Sequence, residues 1–300
     1  MTGRTTILDG GMGRELLRMG APFHQPEWSA LALMEAPDRV AQAHGAFIAA
    51  GAEVITTNSY ALVPFHIGEE RFAGDGRRLA GLAGRLAREA ADAAGGRVLV
   101  AGSLPPLFGS YRPDLFDAGR APALLEALVE GLSPHIDLWL GETLGSLAEA
   151  DAVRTALTGD ARPLWISFTL ADEGVDLFDP CLRSGEPVAD AVQAALRMEA
   201  AALLFNCSQP EVMGPAVGSA RRRLAELGAA LTIGVYANTY FPKDVSARAN
   251  EELTGDLRAD LDPPHYLAFA KDWVGQGAEI VGGCCGIGPE HIAALRAALP

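Results

Sequence analysis

A single (β/α)8 TIM barrel is the fold that this chain of 300 residues predicts. Three observations predict it. Short apolar runs alternate with longer Ala- and Leu-rich stretches of helical spacing, and the alternation repeats eight times. The links leading into the apolar runs are short and often hold glycine, whereas several links leaving them are long. The length suits one barrel, which typically takes about 250 residues, so residues 1–300 read as one domain without internal linker or repeat.

Thr5–Asp9 opens the series as the first strand. Asp38–Ala50 follows with helical spacing, and Gly51 suits its C-cap, where the backbone turns left-handed. Glu53–Asn58 is the second strand, and Arg77–Ala94 its helix, closed by Gly95-Gly96. Val98–Ser103 pairs with Ala123–Leu132, and Asp137–Glu142 with Leu147–Leu157, which Gly159 follows. Leu164–Thr169 precedes helix Ala189–Ala200, and Leu203–Cys207 precedes Ala216–Leu227 with Gly228 behind it. Leu231–Ala237 leads to His265–Gln276 and Gly277, and Glu279–Gly283 leads to Glu290–Leu299. Eight is the number of parallel strands at which such a sheet closes. An open doubly wound sheet has the same alternation. No phosphate-binding glycine pattern follows the first strand, which weakens a nucleotide-binding version of it. The long links Ser59–Gly76, Leu104–Pro122, Leu170–Val188 and Asn238–Pro264 leave the C-terminal strand ends, where a barrel builds its active site. The last of them, with Lys243, Asp244, Arg248 and Glu251-Glu252, reads as a mobile lid.

Bulk properties exclude several function classes. Apolar residues make up 49% and charged residues 21%, enough for an ordinary core. A formal net charge of −14 repels nucleic acid and anionic membrane surfaces, so neither is an expected partner. The N-terminus shows no secretory leader, and no apolar stretch is long enough to span a membrane. The four cysteines, two of them adjacent, make a poor disulfide framework, so a reduced cytoplasmic setting is expected.

The residues closing the strands carry the chemistry. They are Asp9-Gly10-Gly11, Thr57-Asn58, Ser103, Glu142-Thr143, Asn206-Cys207-Ser208, Tyr236-Ala237-Asn238 and Gly282-Gly283-Cys284-Cys285-Gly286. A closed barrel gathers these ends on one rim. Cys207 and the Cys284-Cys285 pair then meet across strand seven. Three thiolates on one zinc leave a fourth tetrahedral position open, the mark of a catalytic site. Neighbouring side chains on a regular strand point to opposite faces, so both sulfurs reach one ion only if the chain turns sharply, and the flanking glycines permit that. Two other readings stand beside metal binding: a strained vicinal disulfide, and cysteines that simply pack in a core. Cys181 falls in a long link and reads as incidental. The six histidines show no ligand spacing, and His66 alone lies in a link that could reach a site. Trp139 and Trp165 fall within strands and read as core.

These motifs resemble the homocysteine S-methyltransferase family over nearly the whole chain. Ile7–Leu16 resembles its opening motif and Ala50–Tyr60 its second. Glu142-Thr143 with Glu149-Ala150 resembles the fourth-strand motif. Phe205–Ser208 and Gly282–Gly286, followed by Pro289–Ile292, resemble the two zinc motifs. Two departures stand out. Strand seven reads Tyr236-Ala237-Asn238 where the family usually has a central proline, and the link from Ser103 to Tyr111 is longer than in many members. The second leaves the methyl donor open.

The resemblance implies zinc on Cys207, Cys284 and Cys285, and homocysteine as the thiol acceptor, giving methionine. It places Asp9 and Glu142 at the amino-acid end of homocysteine, and Asn238 over the open side of the metal. Charge-assisted acceptors for an ammonium agree with this. Backbone N–H groups of Gly10, Gly11 and Met12 suit its carboxylate. Thr57, Asn58 and Ser103 complete the expected rim. Helix capping is the plain alternative for Asp9 and Glu142. With no cobalamin or folate module and no long C-terminal extension, a small sulfonium is the expected donor: S-methylmethionine or S-adenosylmethionine. Betaine, another methylated compound, or a selenol acceptor are variants of the same chemistry. A zinc- or thiol-binding sensor and a redox enzyme using the vicinal pair are the rivals from other classes.

Overall fold

The computed structural model describes residues 4–95, 97–172, 176–241 and 257–300. Eight parallel strands form one sheet: β1 (Thr6–Ile7), β2 (Val54–Thr56), β3 (Leu99–Leu104), β4 (Leu138–Leu144), β5 (Leu164–Phe168), β6 (Ala202–Asn206), β7 (Thr232–Tyr236) and β8 (Ile280–Val281). The order β1-β8-β7-β6-β5-β4-β3-β2 makes each strand the neighbour of its successor. The ring closes between β1 and β2. Glu53 N donates to Ile7 O at 2.8 Å, Asp9 N donates to Val54 O at 3.1 Å, and Leu8 bridges to Val54. This is the predicted barrel, and an open doubly wound sheet is excluded.

The helices among the described residues are α1 (Met12–Arg18), α2 (Ser29–Glu35), α3 (Pro37–Ala49), α4 (Pro64–Ile67), α5 (Glu69–Ala93), α6 (Ala121–Leu132), α7 (Leu147–Ala156), α8 (Val188–Arg197), α9 (Pro210–Leu227), α10 (Pro263–Gly275) and α11 (Pro289–Ala298). The glycines expected at helix ends, Gly51, Gly95, Gly159, Gly228 and Gly277, all have positive φ. None of the described helices is long and apolar enough to cross a membrane.

Strand side chains alternate between two apolar layers, as a period of two requires. Leu8, Ala101, Leu140, Leu204 and Ile280 fill the barrel interior. Ile7, Val100, Trp139, Leu203 and Val281 join the larger layer beneath the helices. Trp139 is fully buried there, whereas Trp165 packs against the inner layer.

Several boundaries differ from expectation for identifiable reasons. The link Ser59–Gly76 contains α4 and the first turns of α5, because Gly74 and Gly76 are tolerated inside a long helix whose first turn carries Glu69 and Glu70. Helix α9 begins at Pro210, ahead of the expected Ala216, because Pro210 occupies its first turn and Pro215 is accommodated within it. The short α1 and α2 had no clear periodic signal. The lid read from Lys243, Asp244, Arg248 and Glu251-Glu252 lies outside the described residues.

One buried tyrosine ties the site's two strand ends together. Tyr266, on α10, donates from its hydroxyl to Gly282 O at 2.7 Å and accepts from Ala237 N at 3.1 Å. Tyr266→Phe leaves both backbone groups short of a partner. The expected cost is about 1–3 kcal/mol, read as a lower denaturant midpoint at unchanged slope.

Candidate active site

The three site cysteines converge through their backbone. Cys207 follows β6 in a left-handed conformation, φ 53°, with its N–H on Tyr236 O at 3.2 Å. Cys284 N donates to Ala237 O at 2.9 Å, and Thr239 N donates to Cys285 O at 2.9 Å. The segment after β7 is thus stitched to both cysteine motifs. Gly286 takes φ 87°, and a β-carbon there would collide with the Thr239 side chain. A β-carbon on Gly11 would lie 2.5 Å from Cys284 O. The two glycines let these chains close round the sulfurs.

All four cysteines are free, so the adjacent pair forms no disulfide. The sulfurs of Cys207, Cys284 and Cys285 lie within 4.8 Å of one another, and those of Cys207 and Cys284 are 3.0 Å apart. Among the described residues this is the one such metal-ligating trio. Tetrahedral zinc–thiolate bonds of about 2.3 Å put sulfurs roughly 3.8 Å apart, so three thiols of this chemistry fit zinc once the Cys207–Cys284 pair spreads by about 0.8 Å. Hydrogen bonding with Cys207 and Cys285, together with burial, pushes the Cys284 thiol well above its ordinary range. Three crowded thiols, one buried and two half-buried, do not ionise together unless a cation joins them.

Two carboxylates line the same cleft. Asp9 accepts from Thr56 N at 2.7 Å and from the Thr56 hydroxyl at 3.2 Å. Glu142 accepts from the Ser103 hydroxyl at 2.7 Å. Burial drives Asp9 up to about 8, and the Glu142 charge adds to the shift against the Thr56 hydrogen bonds. Burial raises Glu142 to about 7, opposed by its bond from Ser103. Neither carboxylate caps a helix; each faces a cleft where its charge has no full compensation.

A bulge aims Glu142. The pairing of β4 with β5 shifts register between Gly141 and Leu144, and Thr143 is left-handed at φ 58°. The Asn206 side chain clamps that kink: Thr143 N donates to Asn206 Oδ1 at 3.2 Å, and Asn206 Nδ2 donates to the Thr143 hydroxyl at 2.7 Å. The Ser167 hydroxyl donates to the same Oδ1 at 2.7 Å. Of the five non-glycine residues with positive φ among those described, Trp28, Tyr111, Thr143 and Cys207 line the cleft, and Glu199 does not. Such conformations cost roughly 1–2 kcal/mol each, and their concentration here marks a site that the surrounding fold holds in shape.

The expected rim residues separate into two groups. Asp9, Gly10, Gly11, Thr57, Asn58, Glu142 and the three cysteines line the cleft. Ser103 and Asn238 stand behind it. Ser103 is fully buried and supports Glu142, while Asn238 Nδ2 lies 3.9 Å from Cys207 Sγ and its Oδ1 accepts from Tyr240 N at 3.1 Å. The N–H of Gly11 is already bound to Ile287 O at 2.9 Å. His66 does reach the cleft, held with Nδ1 2.7 Å from Pro26 O and kept neutral by burial, which lowers it to about 4. His291 instead braces α11, accepting from Gly288 N at 3.2 Å.

An aromatic wall completes the cleft, of which only Tyr236 at its strand end and the link to Tyr111 stood out in the sequence. Phe23, Trp28, Tyr60, Tyr111, Tyr236 and Tyr240 line the cleft, so four of the chain's five tyrosines are here. The signal was available: with 7% aromatic residues overall, Tyr60, Tyr111 and Tyr240 all fall in links leaving strands.

Comparison with known proteins agrees with this geometry. The homocysteine S-methyltransferase family model matches residues 6–299. The homocysteine S-methyltransferase of Escherichia coli (strain K12) is 30% identical, over 97% of this chain and 94% of its own. Homocysteine S-methyltransferase YbgG of Bacillus subtilis (strain 168) is 29% identical, over 97% and 93%. The crystal structure of the metallated form of the homocysteine methyltransferase MmuM from Escherichia coli is similar at a TM-score of 0.77, with 28% identity over 98% of this chain and 96% of that one. The match spans the whole barrel and both cysteine motifs, and the chain belongs to the homocysteine S-methyltransferase family.

Proposed function

We propose that this protein transfers a methyl group from a small sulfonium donor, S-methylmethionine or S-adenosylmethionine, to the thiol of homocysteine, giving methionine, with zinc held by Cys207, Cys284 and Cys285. The observation that carries the reading is the juxtaposition of three convergent thiols and two under-compensated carboxylates in one cleft. The metallated state of the similar Escherichia coli structure supports the metal. An alkyl thiol is mostly protonated at neutral pH, and zinc, when bound, supplies the Lewis acidity that favours the thiolate form.

The chain's own residues do the rest. Asp9 and Glu142 take the ammonium of homocysteine, which replaces the water that burial denies them. The carboxylate of homocysteine falls to backbone N–H groups of Gly10 and Met12, since that of Gly11 is occupied. These anchors fix the acceptor sulfur relative to the cysteines, so that attack on the methyl carbon is a matter of position rather than encounter. The aromatic wall excludes water and offers ring faces to a cationic donor. Transfer neutralises that cation, so the leaving thioether loses its attraction to the rings and departs.

The reading is tested by methionine formation from homocysteine with S-methylmethionine, S-adenosylmethionine and betaine supplied in parallel. Turnover with a sulfonium, lost on chelation and restored by zinc, is expected. A zinc-loaded protein that turns over none of them is instead a binding protein. Glu142→Gln should raise KM for homocysteine by about tenfold or more, reflecting a lost charge-assisted contact, with a smaller change in kcat. An unchanged KM removes Glu142 from the ammonium site.

The raised carboxylates also set a pH dependence. Below about 7 both Glu142 and Asp9 bind a proton in the free protein and offer the ammonium no charge. As pH rises through about 7 to about 8 they ionise, so KM for homocysteine should fall across that window. A KM that is flat there contradicts the assignment.

A further inference from the structure

Three protein sulfurs face the cleft in which the proposed reaction places a methylating sulfonium. Each ligand thiolate is a nucleophile of the same kind as the acceptor. Attack by a ligand breaks the donor's S–CH3 bond, returns its electron pair to the donor sulfur and forms a Cys–S–CH3 thioether, with no proton moved and no oxidant needed. That product has lost its charge and binds zinc poorly. A site of this composition therefore needs something that discriminates among its own sulfurs.

We propose that Tyr111 protects Cys207 from methylation by donating a hydrogen bond to its sulfur. The Tyr111 hydroxyl lies 2.9 Å from Cys207 Sγ. A donor on a thiolate lone pair withdraws density from it and occupies the direction of attack, as charge-assisted hydrogen bonds do. The phenol is placed there by structure on several sides. Tyr111 is buried and left-handed at φ 64°. The Arg183 guanidinium lies over its ring at 5.6 Å. Arg183 is itself fixed by a 2.9 Å ion pair with Asp172, their side chains 2% and 4% exposed, and by its N–H on Thr169 O at 3.0 Å. The neighbouring Ser110 hydroxyl is 2.7 Å from that of Tyr60. A buried ion pair and a strained backbone are costly features, and here both bear on where the Tyr111 ring is placed. Tyr111 is thus a positioning residue that steers the methyl group to the acceptor.

The inference rests on the zinc and sulfonium reading above, and its test separates the two. Zinc-loaded protein is incubated with S-methylmethionine without homocysteine, and methylation of each cysteine is mapped by mass spectrometry of the peptides, alongside zinc retention against a chromophoric chelator. In the wild type Cys207 should be the least modified of the three ligands. Tyr111→Phe should raise Cys207 methylation about tenfold or more, as loss of a hydrogen bond to a charged group implies, with zinc lost in step. Tyr111→Phe keeps the ring and removes only the donor, so the increase reads the hydrogen bond rather than ring packing. Equal modification of Cys207 and its partners in the wild type, or no increase in Tyr111→Phe, overturns the proposal. Absence of turnover with any sulfonium in the wild type would instead refute the functional reading itself.

Discussion

The constraint on which the site depends is the backbone stitching after β7. Ala237 accepts from Cys284, Thr239 donates to Cys285, and Asn238 N donates to Ser208 O at 3.1 Å. Through these bonds one three-residue segment holds the ends of β6 and β8 in register, and the sulfurs meet as a consequence. The barrel is what makes this possible, because parallel strands of a closed sheet end on one rim. Tyr266 reinforces the same segment from behind. The alanine at 237, where the family usually has proline, is consistent with this role, since its N–H meets the Tyr266 hydroxyl.

Around that centre, the cleft is built to be dry and unbalanced in charge. Asp9 and Glu142 are held by hydrogen bonds to Thr56 and Ser103 that partly offset burial but leave both carboxylates raised. Such a site stores binding energy for a cation. Four tyrosines add to the wall, and guanidinium groups already lie over two of their rings, Arg14 over Tyr240 and Arg183 over Tyr111. On the proposed reading, localised charge holds the acceptor and ring faces meet the donor.

Much of this was legible in the sequence. Each of the eight strands was found within a few residues, because an apolar run bounded by turn residues leaves little choice, and the glycines expected at helix ends take the left-handed conformations that position requires. The cysteines, Asp9 and Glu142 line one cleft, as expected of polar groups that close apolar strands and have one rim to share. What was not legible depends on distance in the chain. Nothing near Tyr111 announces that it meets Cys207, or that Arg183 packs on its ring. Ser103 and Asn238 also sit at strand ends, and what their side chains meet, Glu142 for one and Cys207 with the Tyr240 backbone for the other, could not be read from position alone. A strand-end position fixes which end of the barrel a residue occupies, not which neighbour its side chain meets.

Zinc held by Cys207, Cys284 and Cys285 would favour the thiolate form of the acceptor. Proton release on binding tests it most directly. Homocysteine and homoserine share the ammonium and carboxylate, so the response of Asp9 and Glu142 is common to both and cancels in the comparison. Zinc-loaded protein at neutral pH should release about one more proton per homocysteine than per homoserine, because a bound thiolate has given up its proton. The excess should vanish when zinc is removed. Equal proton release by the two ligands on the zinc-loaded protein would contradict the account.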